Sequence, residues 1–162
     1  MVKGVYPNSL KVAQVIPIHK KGDKSACPNY RPISLLSQFN TIFEKMLHHR
    51  LYSYLQDFEL LNGHQFGFKP NSSTSLAVES IYSDLLHNHE NGLFTCSLFI
   101  DFSKAFDTVN HNILIKKLHP NNGLNGTALQ LFTSYLANRK QYTVVYGAKS
   151  NRRNIACGIP QG

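Results

Sequence analysis

A chain of 162 residues with 42% hydrophobic and 11% aromatic side chains has the material for a folded domain with its own core, which excludes a disordered tail or linker. Its 17 Lys and Arg against 9 Asp and Glu give a formal charge of +8, the balance of a protein that meets a polyanion, nucleic acid first, rather than an acidic small molecule. No apolar run approaches membrane-spanning length, the N-terminus lacks an apolar h-region, and Cys27, Cys96 and Cys157 form neither a zinc pattern nor a disulfide framework; the expected setting is cytoplasmic or nuclear, neither secreted nor membrane-embedded.

Lys11 to Ile18 alternates apolar and polar residues and predicts a strand. The polar turn Lys20-Lys21-Gly22-Asp23-Lys24 follows, and Tyr30 to Leu36 is the extended return, with Pro32 holding Arg31 out of the helical region. From Ser37 the period changes. Phe39, Ile42, Phe43, Met46, Leu47, Leu51, Tyr54 and Leu55 recur at helical spacing behind a Ser N-cap. A Gly-, Asn- and Ser-rich loop from Gly63 to Ser73 leads into a second helix, about Ser73 to His87, with Leu76, Ile81, Leu85 and Leu86 inward. Phe94 to Ile100 is patterned as a strand that ends on Asp101. Asp107 or Thr108 is placed to cap a helix through Leu118, and a further helix from about Thr127 to Ala137 presents Leu129, Phe132 and Leu136. Gln141–Tyr146 and Arg152–Cys157 then read as a hairpin. With no repeat and no linker, one α+β unit is expected.

The run from Phe99 to His111, FIDFSKAFDTVNH, carries the chemistry. A carboxylate at a strand end is held by the sheet and left open by the following loop, and Mg²⁺ takes such oxygen ligands, commonly one or two carboxylates plus substrate phosphates. On the residues alone Asp101 is equally a solvent-facing strand end, Phe106 core packing and Asp107 a helix cap. The eight His lie mostly on polar helix faces or helix ends without zinc-like spacing, and none is given a catalytic role.

That run resembles motif A of reverse transcriptases in the form used by non-LTR (LINE-type) retrotransposons. Ile16–Asp23 (IPIHKKGD) and Asn29–Leu36 (NYRPISLL) are similar to the family's two fingers motifs, Gln65–Thr74 (QFGFKPNSST) to its fingers–palm block, and Gly158–Gly162 (GIPQG) to the opening of motif B. The blocks stand in the family's order over nearly the whole chain. The resemblance implies an α+β fold, the fingers and partial palm of a right-hand polymerase with an incomplete palm sheet. Residues 1–162 would be a partial reverse transcriptase domain, about 11–92 fingers and fingers–palm connection and about 93–162 partial palm. It implies RNA-directed DNA synthesis with an RNA template, a DNA primer and dNTP substrates, and two Mg²⁺ ions in the intact family enzyme. Asp101 would be catalytic and hold the metals, with the Phe102 carbonyl completing one shell. Arg31 would grip the triphosphate with its fork, assisted by Lys20. Phe106 would lie under the incoming sugar and reject a 2′-hydroxyl, and Gln161 would edge the nucleotide pocket. Lys21, Lys24 and Lys69 would meet nucleic acid; Lys69 stands where the family usually has Arg and keeps the charge without the bidentate geometry.

The 162 residues contain no Asp-Asp pair, so the family's Tyr/Phe-Ala-Asp-Asp hairpin is not in them. Weak or absent Mg²⁺ binding and no polymerase activity by this chain alone are the expectations. The motif A strand is expected to keep an uncovered edge, open to pairing with another chain. A non-catalytic nucleic-acid-binding remnant is the alternative reading, supported by the +8 charge and by Lys20, Lys21, Lys24 and Arg31. A Mg²⁺-dependent phosphatase or nuclease built on Asp101 and Asp107 leaves the other four blocks unexplained.

Overall fold

The strand pair predicted around the polar turn forms as read. In a computed structural model that describes residues 3–121 and 123–160, β1 (Val12–His19) and β2 (Tyr30–Leu35) run antiparallel, with Gln14 opposite Leu35 and His19 opposite Tyr30. β3 (Lys140–Val145) joins the other side of β1 in parallel, from Val12–Lys140 to Val15–Thr143. Pro17 lies beyond that ladder, where its missing N–H breaks no sheet bond. The expected hairpin is present but its return is divided: β4 (Ala148–Lys149) and β5 (Arg153–Asn154) both pair with β3, Lys149 opposite Val144 and Arg153 opposite Gln141.

The helices begin where their caps put them. α1 (Gln38–Asp57) starts behind Ser37, whose Oγ accepts the Asn40 amide at 3.2 Å. α2 (Thr74–Glu90) starts behind Ser73, whose hydroxyl accepts the Leu76 amide at 3.2 Å. α3 (His111–Lys116) is shorter than predicted and runs into a π turn, Lys117–Asn121. Its cap is Asn110, whose Oδ1 accepts the Ile113 amide at 3.1 Å, and not Asp107 or Thr108. The residues from Ser103 to Thr108 are spent on a turn, with Lys104 at φ 54 and the Asp107 and Thr108 amides both on the Lys104 carbonyl. α4 (Gly126–Leu136) buries Leu131 and Leu136, with Leu129 and Phe132 half-buried.

The chain divides into two units, residues 1–51 with 103–162, and residues 52–102. In the first, Tyr6, Leu47 and Leu131 are buried together with Leu10, Phe43 and Tyr135 packed on them. Tyr6 is the hub. Its amide donates to Ser134 Oγ at 2.9 Å, its hydroxyl to Asn40 Oδ1 at 2.7 Å, and its ring meets the Tyr135 ring edge-on at 5.0 Å. Tyr135 in turn donates to Glu44 Oε1 at 2.6 Å, so α1, α4 and the segment carrying Tyr6 share one mixed aromatic and polar core. Arg139 and Lys11, 0% and 4% exposed, are buried in the same unit.

This core has a pH signature. Burial, and secondarily the Glu44 charge, pushes the Tyr6 phenol from 10.0 up to about 12; burial and the Glu44 hydrogen bond push Tyr135 up as well. Between those values the folded chain keeps protons that the unfolded chain has lost, so the contribution is full below pH 10 and is lost as pH rises through about 12. The urea midpoint is therefore expected to fall across that alkaline range, and to fall less steeply in Tyr6→Phe. An identical alkaline slope in the variant would remove Tyr6 from the effect.

The second unit differs from the sequence expectation in two respects. Phe94 to Ile100 belongs to no strand and is exposed, Phe94 fully and Phe99 at 83%. Alternating apolar residues make a strand only against a pairing partner, and among the described residues no ladder reaches this segment. Leu76, Ile81, Leu85 and Leu86 are exposed rather than inward, because no residue from 52 to 102 is buried and a helix stripe buries only against another layer. α1 behaves likewise near its start, where Phe39 and Ile42 are exposed while Asn40 and Leu47 are buried. No helix among the described residues is long and apolar enough to cross a membrane.

Candidate functional site

The basic turn after β1 is built by its own side chains. Asp23 accepts from both the amide and the hydroxyl of Ser25, at 2.9 and 2.6 Å, and these bonds hold its carboxyl below the usual range. The Asn29 amide group donates to the Asp23 carbonyl at 2.8 Å and the Lys20 amide to the Asn29 carbonyl at 2.8 Å. The loop is thereby closed on itself, and Lys20, Lys21 and Lys24 are left exposed around it.

One cleft of about 730 Å³ brings together Lys20 and Arg31, from the turn and β2, and Phe106 and Asp107, from the Ser103–Thr108 turn, over a floor that includes Val15, Pro17, Pro32 and Thr143. The floor residues share a sheet face by alternation and register: Pro17 stands opposite Pro32 and Val15 beside Thr143. A second cleft, of about 440 Å³, continues through Pro32, Ser34 and Asp107 to Gly158, Ile159 and Pro160. Cations and an aromatic 39% exposed lining one cleft suit an anionic ligand with a flat apolar part.

The Phe106 turn is clamped from behind. The Ile159 amide donates to the Phe106 carbonyl at 3.0 Å, the Gly158 amide to the Val109 carbonyl at 2.8 Å, and the His111 ring bonds the Gly158 carbonyl through Nε2 at 2.7 Å. Asn110 and Cys157 form an antiparallel bridge. Gly158 sits at φ +80, and a Cβ there would lie 2.7 Å from the Asp107 carbonyl oxygen. His111 and Gly158 therefore set the position of Phe106. His111 had no role in the sequence reading; its place five residues after Phe106 was the available signal, but only the fold shows its partner.

Asp101 and Phe102 end the exposed segment of the second unit, which also holds Lys69, half-buried after Phe68 at φ 58. Gln161 lies outside the described residues. Among the described residues no three His, Cys, Asp or Glu side chains group around a point. Asp101 and the Phe102 carbonyl are oxygen donors of the kind Mg²⁺ takes. The three cysteines are exposed free thiols.

Residues 18–162 match the family described as Reverse transcriptase (RNA-dependent DNA polymerase). The chain belongs to that family. Over 161 residues it is 34% identical to the Probable RNA-directed DNA polymerase from transposon BS of Drosophila melanogaster, an alignment that covers 97% of this chain and 17% of that protein. It is 31% identical over 163 residues to the RNA-directed DNA polymerase from mobile element jockey of the same species, covering 98% and 17%. To the Retrovirus-related Pol polyprotein from type-1 retrotransposable element R1 of Bradysia coprophila it is 28% identical over 166 residues, covering 100% and 16%. The resemblance to the reverse transcriptases of non-LTR (LINE-type) retrotransposons thus holds, and the chain spans about a sixth of the length of the curated relatives it matches. Reverse transcriptases use divalent metal ions, and the mixed helices and five-stranded sheet agree with an α+β fragment of such a domain.

Proposed function

We propose that this chain is the dNTP-binding part of an RNA-directed DNA polymerase, residues about 11–92 serving as fingers and fingers–palm connection and about 93–162 as part of the palm of a right-hand fold. The observation that carries the proposal is the cleft in which Lys20, Arg31 and Phe106 stand together. Phosphoryl transfer is mostly positioning and charge neutralisation. Arg31 offers a planar fork to two phosphate oxygens and Lys20 adds a point charge beside it. Phe106 lies under the incoming sugar and excludes a 2′-hydroxyl by contact, which makes the substrate a deoxynucleotide. Gln161 borders the same nucleotide. Asp101, with the Phe102 carbonyl, is the oxygen donor the chain brings to Mg²⁺, which supplies charge neutralisation at the transferred phosphoryl group when bound. Lys21, Lys24 and Lys69 lie along the RNA template and DNA primer.

With a single motif carboxylate, the chain alone binds substrate without joining it. Purified protein is expected to give no incorporation on poly(A)/oligo(dT), and to bind dTTP with an affinity that drops about tenfold in Arg31→Ala and is only partly restored in Arg31→Lys. Equal dTTP binding by wild type and Arg31→Ala, read by calorimetry, would sink the assignment of the cleft. Mg²⁺-dependent incorporation that disappears in Asp101→Asn would instead show that the chain is complete for catalysis.

A further inference from the structure

We infer that the β3–β5 hairpin is a contact for single-stranded nucleic acid, with Tyr146 as a base-stacking platform and Lys149, Arg152 and Arg153 as phosphate partners. The inference rests on the polymerase reading and extends it to residues that do not line the nucleotide cleft.

The first observation is conformational. Val145 pairs with Ala148 across a two-residue turn in which Tyr146 has φ 49 and Gly147 φ 82. Both central residues are left-handed, the geometry that favours Asn-Gly or Asp-Gly. A bulky aromatic at the first position is strained, and Tyr146 gains no packing in return, since it is 105% exposed. Turn chemistry and burial both argue against a tyrosine there. A ring at the crest of a turn keeps its face open to a flat partner.

The second observation is charge. Residues 108–162 hold seven of the 17 Lys and Arg and none of the nine Asp and Glu. Four of the seven, Lys140, Lys149, Arg152 and Arg153, are exposed on this hairpin. The ribbon that carries them is ordered, because Ser150 and Thr143 bond reciprocally at 2.9 Å and Arg153 stands in register with Gln141. An exposed aromatic among uncompensated cations is how proteins hold unpaired strands, stacking on bases and neutralising phosphates. A duplex hides the base faces that Tyr146 would use.

The test is fluorescence anisotropy of the 162-residue chain with a labelled oligo(U), beside a duplex competitor. Tyr146→Asn suits the turn better than the native residue, so thermal stability should hold or rise while oligo(U) affinity falls about tenfold and duplex affinity is unchanged. The double variant Arg152→Gln/Arg153→Gln should flatten the log K against log salt slope by about 1.4, two single-strand phosphates at about 0.7 each. Wild-type oligo(U) binding by Tyr146→Asn overturns the stacking role. If Lys20→Gln/Lys21→Gln abolishes binding while both hairpin variants retain it, the hairpin inference falls and the polymerase reading stands. If the wild-type chain binds no oligo(U) at low salt, both fall.

Discussion

Gly158→Ala is expected to lower folding stability by about 3 kcal/mol, a large part of what a domain of this size possesses. Two effects add. The φ of +80 places any L-residue in left-handed space, at about 1–2 kcal/mol. The new methyl would also stand 2.7 Å from the Asp107 carbonyl oxygen and 3.0 Å from its Cα, and those atoms are backbone rather than a side-chain tip that can swing away. Relief requires parting the two segments, which breaks the Gly158–Val109 and Ile159–Phe106 bonds and the His111 contact together. Urea denaturation should show the loss, and nucleotide binding should weaken as the Phe106 turn loses its support. A change below about 1 kcal/mol would mean that the clamp is loose and that Phe106 is held by something else.

Arg139→Met is expected to move stability the other way, upward by about 1–2 kcal/mol. Arg139 is 0% exposed, and its Nε and Nη2 have no hydrogen-bond partner among the described residues. Among the described residues its Nη1 bonds the Tyr135 carbonyl at a long 3.3 Å, and its guanidinium lies over the Tyr135 ring at 4.7 Å. Lys11 is buried in the same unit, and its ammonium is pushed down first by burial and then by the Arg139 charge. A dehydrated cation with two orphan donors beside a second cation costs more than its ring contact returns. Met fills much the same space without the charge, whereas Arg139→Ala leaves a cavity and should destabilise. Chemical denaturation of the pair decides: a Met variant less stable than wild type would mean that the guanidinium has an anionic partner in solution.

Much of this architecture was legible because the signals are local. Ser37 and Ser73 are caps by side-chain chemistry, the polar turn from Lys20 to Lys24 separates two extended segments, and the hairpin follows from its alternation. What failed depended on distant residues. Asp107 is as good a cap as Asn110 by type, but the docking of Gly158 and Ile159 keeps the preceding residues in a turn and delays the helix. Phe94 to Ile100 has the pattern of a strand without a ladder. Leu76, Ile81 and Leu85 have the spacing of an inward face without a layer to face. The buried pair of Arg139 and Lys11 could not be read at all, since cations are presumed solvated until packing shows otherwise. The cleft was legible in its members, Lys20, Arg31 and Phe106, through the resemblance alone; the register of β1, β2 and β3 accounts for the floor beneath them, Val15, Pro17, Pro32 and Thr143, and their own meeting is shown only by the fold.

The position of Tyr6 separates the family profile from the folding unit. Similarity to the family profile begins at Ile18, near the end of β1, whereas the residue on which the core of the first unit closes lies twelve positions earlier. A boundary drawn where the profile begins would discard Tyr6, Leu10 and three quarters of the central strand, leaving Asn40, Ser134 and the faces of Leu47 and Leu131 bare. The aligned relatives span 97–100% of this chain, beyond the limits of the profile, and trimming the protein to those limits would remove its keystone.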